Sequence, residues 1–139
     1  MTSVQPYRTL STLLYALSVV EALAGLILLF ATNWALSLVP ANLALGDTGF
    51  VMIFLKAIGI VALALGYLLC VAARDPARYI AVIDTLAFLL VVSAALNVYA
   101  LTAMQLGKYY PANYMLVRIV IQLILAVAVI ALRPKAAKA

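Results

Sequence analysis

Four long apolar stretches each carry one ionisable side chain: Glu21, Lys56, Asp84 and Arg118. In hydrocarbon each costs about 2.5–3.5 kcal/mol near the centre of a helix, so such residues are expected to face inward and find partners. Two are acids and two are bases, which cancel formally. The chemistry open to them is ion pairing and the gripping of an anion, which a guanidinium can do bidentately. Enzymatic chemistry is disfavoured. The chain has no histidine and a single cysteine, Cys70, and lacks a G-x-S-x-G elbow, a C-x-x-C pair and closely spaced carboxylates. No cofactor or metal is expected, because the usual haem, copper and zinc ligand is missing. Cys70 reads as a small apolar filler, with S-palmitoylation as the alternative.

Depth narrows the pairings. At about 1.5 Å per residue, Lys56 and Arg118 both lie roughly 10 Å below the outer boundary and Glu21 lies near the midplane. Asp84 lies about 8 Å from the cytoplasmic boundary, within reach of the basic turn around Arg74 and Arg78. The expected long-range pair is therefore Glu21 with Lys56 or Arg118, bridged by Gln122 one turn from Arg118. On the third span, Asp84 and Asn97 are about 140° apart, so both cannot face the bundle centre. One of them is expected to meet lipid head groups or another subunit. One acid neutralises only one base at a time. The candidate ligand site is accordingly Lys56, Arg118, Glu21, Gln122 and Tyr114. An anionic lipid or amphipathic acid would dock between spans 2 and 4, with Tyr114 one turn above Arg118 and Tyr110 and Trp34 near the rim. Three readings of the cluster stand side by side: a latch fixing helix register, a ligand or transport site, and a contact to another membrane subunit. For Arg118 alone, snorkelling to the interface is a further alternative.

The elements that must position these residues follow from composition. Of 139 residues, 69% are hydrophobic and 9% are charged. A soluble domain is about 45–50% apolar and about 25% charged. A chain this apolar cannot cover a water-facing surface. The fold class predicted is an all-α membrane protein of one domain: four transmembrane helices in an antiparallel bundle, both termini cytoplasmic. The spans are 9–35, 50–73, 79–104 and 114–132, with an interfacial segment over 32–48 in which Asn33 caps a short helix ended by Pro40. The first run is too long for the core of a secretory signal, so it reads as a retained helix. Asn113 is the predicted cap of the last span. Tyr109, Tyr110, Tyr114 and Trp34 read as an aromatic belt, with a binding cage as the alternative.

Basic residues set the orientation. Arg8, Arg74, Arg78, Arg133, Lys135 and Lys138 fall on one side and Lys108 alone on the other, six against one. The six-residue side is cytoplasmic by the positive-inside rule. The net charge of +5 is thereby explained without nucleic acid as a partner. Small residues mark the packing faces: Ser18, Ala22 and Gly25 beside Glu21 on span 1, and Gly59 and Gly66 beside Lys56 and Leu63 on span 2.

The Pro-containing outer segment, the glycine-bearing second span KAIGIVALALGYLL and the turn AARDPAR resemble small DoxX-like four-helix integral membrane proteins over roughly residues 10–105. That resemblance implies a four-helix fold and, for some members, a role beside redox enzymes; no functional residue carries over. The chain is also similar to the small multidrug resistance transporters in size and in the Glu of its first helix, Glu21 in VVEALAG. Lys56 and Arg118 depart from that pattern, and its glycine-rich third-helix motif is absent. Two functions follow. The first is a non-catalytic accessory or interaction subunit, partnered by other membrane subunits or by itself. The alternative is binding or transport of a small anionic or amphipathic, lipid-like molecule. A filled, dry bundle favours the first and an opening at the outer leaflet the second. The expected location is the lipid bilayer of a bacterial inner membrane.

Overall fold

A computed structural model describes residues 7–38, 48–104 and 111–134. The described residues form five helices: α1 (Arg8–Phe30), α2 (Thr32–Leu38), α3 (Thr48–Arg74), α4 (Ile80–Thr102) and α5 (Ala112–Leu132). Four of them are long and apolar enough to cross a membrane: α1, Val51–Arg74 of α3, α4 and α5. At about 1.5 Å per residue, 21 to 24 residues match a hydrocarbon core about 30 Å thick.

Leu- and Ala-rich runs satisfy their own backbone groups only as helices, which is what hydrocarbon demands. Hydroxyls inside them are satisfied the same way. Thr12, Thr32, Thr85 and Thr102 each donate to the carbonyl four residues earlier, at 2.6–3.0 Å.

The helix ends differ in detail from the sequence expectation. The first span stops at Phe30 rather than running to 35, and Ala31 breaks the helix at φ −124°, ψ 36°. The following short helix begins at Thr32, so Asn33 lies within it rather than capping it. Thr32 reaches back to Leu28, which ties the two helices together. Pro40 and the rest of 39–47 lie outside the described residues, as do Lys108, Tyr109, Tyr110, Lys135 and Lys138. The last helix begins at Ala112, with Pro111 at the cap position. Asn113 falls in the first turn, where its carbonyl oxygen accepts from the Tyr114 N–H at 3.0 Å. Pro lacks an N–H and fixes φ, so it starts a helix two residues before the polar side chain does. Between α3 and α4 the chain leaves helix at Asp75, whose Oδ1 accepts from the Arg78 N–H at 3.2 Å.

The helices pack as two pairs. α1 lies along α3, and α4 lies along α5. In the first pair the backbones nearly touch. A Cβ placed on Gly25 would sit 2.7 Å from the Gly59 carbonyl oxygen, and one on Gly66 would sit 3.0 Å from the Ser18 carbonyl oxygen. Ser18 is buried and donates its hydroxyl to the Gly66 carbonyl at 2.7 Å. Small residues let helices approach until dispersion and such bonds hold them where no hydrophobic effect operates.

The two pairs join over one core. Leu10 and Leu14 of α1, Leu69, Ala72 and Ala73 of α3, Ile83, Leu86 and Ala87 of α4, and Val129 of α5 form a buried cluster. It lies at the end of the molecule where the α3–α4 turn and the end of α5 lie, here termed the core end. Elsewhere the surface is apolar, with Phe30 83% and Ile53 72% exposed. Such a surface suits a hydrocarbon solvent rather than water.

Candidate functional site

Beyond the core the two pairs part. Along the side of α3 that turns toward α4, Ala72 and Leu69 are buried, Leu65 is half-buried, Ala62 is buried and Ile58 is 41% exposed. Along the matching side of α5, Val129 is buried, Leu132 and Leu125 are half-buried, and Ile121, Arg118 and Tyr114 are exposed. Faces that are covered at the core end thus lie open at the other. The two pairs are thus joined chiefly at the core end and touch little elsewhere.

Glu21 lies on the side of α1 that continues from the core. At 100° per residue it stands within about 20° of Leu14 and Leu10, the α1 residues that pack into the core. It is half-buried. Seven residues separate it from Leu14, a rise of about 10 Å. Gln122 stands seven residues from Val129, so it lies at a similar height on α5. The Asn97 amide donates to the Gln122 side-chain oxygen at 2.9 Å, clamping α4 to α5 at that level. Arg118 lies one turn further toward the open end, with Tyr114 a turn beyond it. Arg118, Leu125 and Leu132 share one stripe of α5, so the guanidinium is carried on the side that continues from the core.

By helical position Glu21 on α1 and Gln122, Arg118 and Tyr114 on α5 fall on the sides that continue from the core, whereas Lys56 does not. Lys56 is exposed. It lies about 160° around α3 from the side that turns toward α4. The anticipated Glu21 pairing with Lys56 or Arg118 is absent. Among the described residues, none of the three side chains makes a hydrogen bond or ion pair. The reason is geometric: the close contact of Gly25 with Gly59 turns Glu21 to one flank of the α1–α3 contact and Lys56 to the other. Gln122 is likewise engaged by Asn97 rather than bridging Glu21 and Arg118.

Asp84 has a partner that the sequence reading did not name. Arg133 grips it bidentately, Nε to Oδ1 at 2.6 Å and a terminal nitrogen to Oδ2 at 2.7 Å. The Asp84 hydrogen bond, and then its charge, raise the Arg133 pKa further above its ordinary value. Both side chains are nearly half exposed at the core end. Arg78, in the turn expected to serve Asp84, instead sits over the Tyr79 ring at 5.7 Å. Asp84 and Asn97 of α4 thus bond to α5 and its C-cap residue, although they lie far apart around the helix. Asn97 does so from within the contact. Asp84, at the helix end, is reached by a long guanidinium from the side. A clue to this was present: thirteen residues separate Asp84 from Asn97, and eleven separate Gln122 from Arg133.

Two other features carry no chemistry. A groove of about 170 Å³ on the α3–α4 flank is lined by Leu65, Leu68, Ala81, Val82 and Thr85. Its one hydroxyl, on Thr85, is spent on Ala81. Among the described residues no three metal-ligating side chains cluster.

The fold defines the class: an all-helical protein with four helices long and apolar enough to cross a membrane. No family model, curated protein or solved structure matches the chain.

Proposed function

We propose that this is a non-catalytic integral membrane protein that binds an amphipathic molecule with an acidic head group. In this reading the helices form an antiparallel bundle in a bacterial inner membrane, with both termini cytoplasmic and a cleft between the helix pairs opening toward the outer leaflet. The observation that carries it is Arg118. It lies on the stripe of α5 that is covered at the core end and open beyond it, without a counter-charge among the described residues. A guanidinium in that position gains from a phosphate or carboxylate, which it can grip with two parallel hydrogen bonds. The exposed apolar residue Ile121, a turn from it on α5, suits hydrocarbon chains.

Native mass spectrometry of the parent and Arg118→Gln with anionic phospholipid tests this. The parent is expected to retain the lipid and the variant to lose it. Equal retention by a normally folded variant would refute the proposal.

A second reading, an accessory or interaction subunit, is favoured by the limited core that joins the pairs. A helix of another subunit or of a second copy fits the same cleft. Cross-linking from cysteine at 121 in native membranes separates the two: protein adducts favour the subunit reading, and lipid adducts alone favour the first.

A further inference from the structure

Resting on the ligand reading above, we infer that the bound head group is zwitterionic: a phosphate held at Arg118 and an ammonium that meets Glu21. In that reading the two walls of the cleft carry an acid and a base at different heights. Glu21 stands about 10 Å above the core on α1, and Arg118 about 16 Å above it on α5. Their helical positions differ by about 6 Å along the cleft, yet they form no ion pair. A ligand that brings its own cation and anion answers both. A simple anion leaves Glu21 as an unpaired acid in an apolar wall, and repels it.

The groups between them support the same occupant. The Asn97 amide spends one N–H on the Gln122 oxygen. That leaves the Gln122 NH2 and the Asn97 carbonyl, with donors and an acceptor to offer the linking atoms of a head group. Lys56 cannot compete for the phosphate, since it lies on the far side of α3. Because Glu21 is nearer the core than Arg118, the head group would enter the cleft ammonium first, with its acyl chains leaving sideways past Ile121 into the bilayer. A primary ammonium fits this better than a quaternary one: it donates hydrogen bonds to a carboxylate, whereas a methylated nitrogen has no N–H to give.

The test is competitive native mass spectrometry of the full chain with ethanolamine and glycerol phospholipids of matched acyl chains. The parent should favour the ethanolamine lipid about tenfold, the change expected for one hydrogen bond to a charged group. Glu21→Gln, nearly isosteric, should lose that preference while holding the glycerol lipid at least as well as the parent does. Glu21→Asp should keep part of it. A parent that favours the glycerol lipid, or a Glu21→Gln variant that keeps the ethanolamine preference, overturns the inference and leaves the role of Arg118 standing. Undiminished retention of both lipids by Arg118→Gln would bring down both claims together.

Discussion

Gly25→Ala is the sharpest test of how the first helix pair is held. The added methyl would meet the Gly59 carbonyl oxygen at 2.7 Å and Leu63 Cγ at the same distance, against 3.4 Å or more for ordinary contact. The Leu63 side chain can turn, but the Gly59 oxygen is backbone and moves only with its helix. Overpacking of this kind costs about 1–3 kcal/mol. Removing a glycine from a helix interior returns about 0.5–1 kcal/mol. A net loss of about 0.5–2 kcal/mol is expected. The Ser18 bond to Gly66, two turns away, would be strained as the helices separate. Gly66→Ala should cost less, because its nearest contact is 3.0 Å. The assay is reversible unfolding of the full chain in mixed micelles, followed by helical circular dichroism. Ala64→Leu, on the exposed side of α3, serves as a control that should change little. A Gly25→Ala protein as stable as the parent, or a Gly66→Ala protein less stable than Gly25→Ala, would refute the packing argument.

Three further outcomes are expected. Glu21→Leu should stabilise the ligand-free protein, by up to about 2.5 kcal/mol, because the acid is half-buried without a partner; destabilisation in the same unfolding assay would reveal a partner. Ser18→Ala should cost about 0.6 kcal/mol, the average for a hydrogen bond between membrane helices, and a change above about 2 kcal/mol would mean that more than this bond is lost. Asp84→Asn should leave the thermal midpoint almost unchanged at high salt and lower it slightly at low salt, since the Arg133 pair is exposed and screened; a salt-independent loss would contradict that.

Apolar run lengths made the four helices legible, because hydrocarbon leaves the backbone few alternatives. The helix starts were less legible: Pro111 and Thr32 open helices where Asn113 and Asn33 looked the better caps. The stripes of Ser18, Ala22 and Gly25 and of Gly59 and Gly66 marked one packing face correctly. Glu21 and Lys56 were read as part of those stripes because they are within a turn of them. They flank the contact on opposite sides instead, and a residue's angle relative to a packed neighbour is not set by its own helix alone. Counting charges suggested a cluster, but charge balance says nothing about which walls face each other. The pairing of Asp84 with Arg133 needed the relative register of α4 and α5, which only packing supplies.

The central claim is that the two helix pairs part toward one end, exposing Arg118 and Glu21 to a shared cleft. It is tested most directly by electron–electron spin distances in lipid nanodiscs, with Cys70 replaced by Ala. One label pair at Thr12 and Ala131 spans the pairs at the core end, and another at Phe30 and Asn113 spans them at the open end. All four sites are exposed on the outward sides of α1 and α5. A longer and broader distance distribution is expected for the open-end pair. Equal distances at both ends, or a shorter one at the open end, would mean that the four helices close on one another and that no cleft exists.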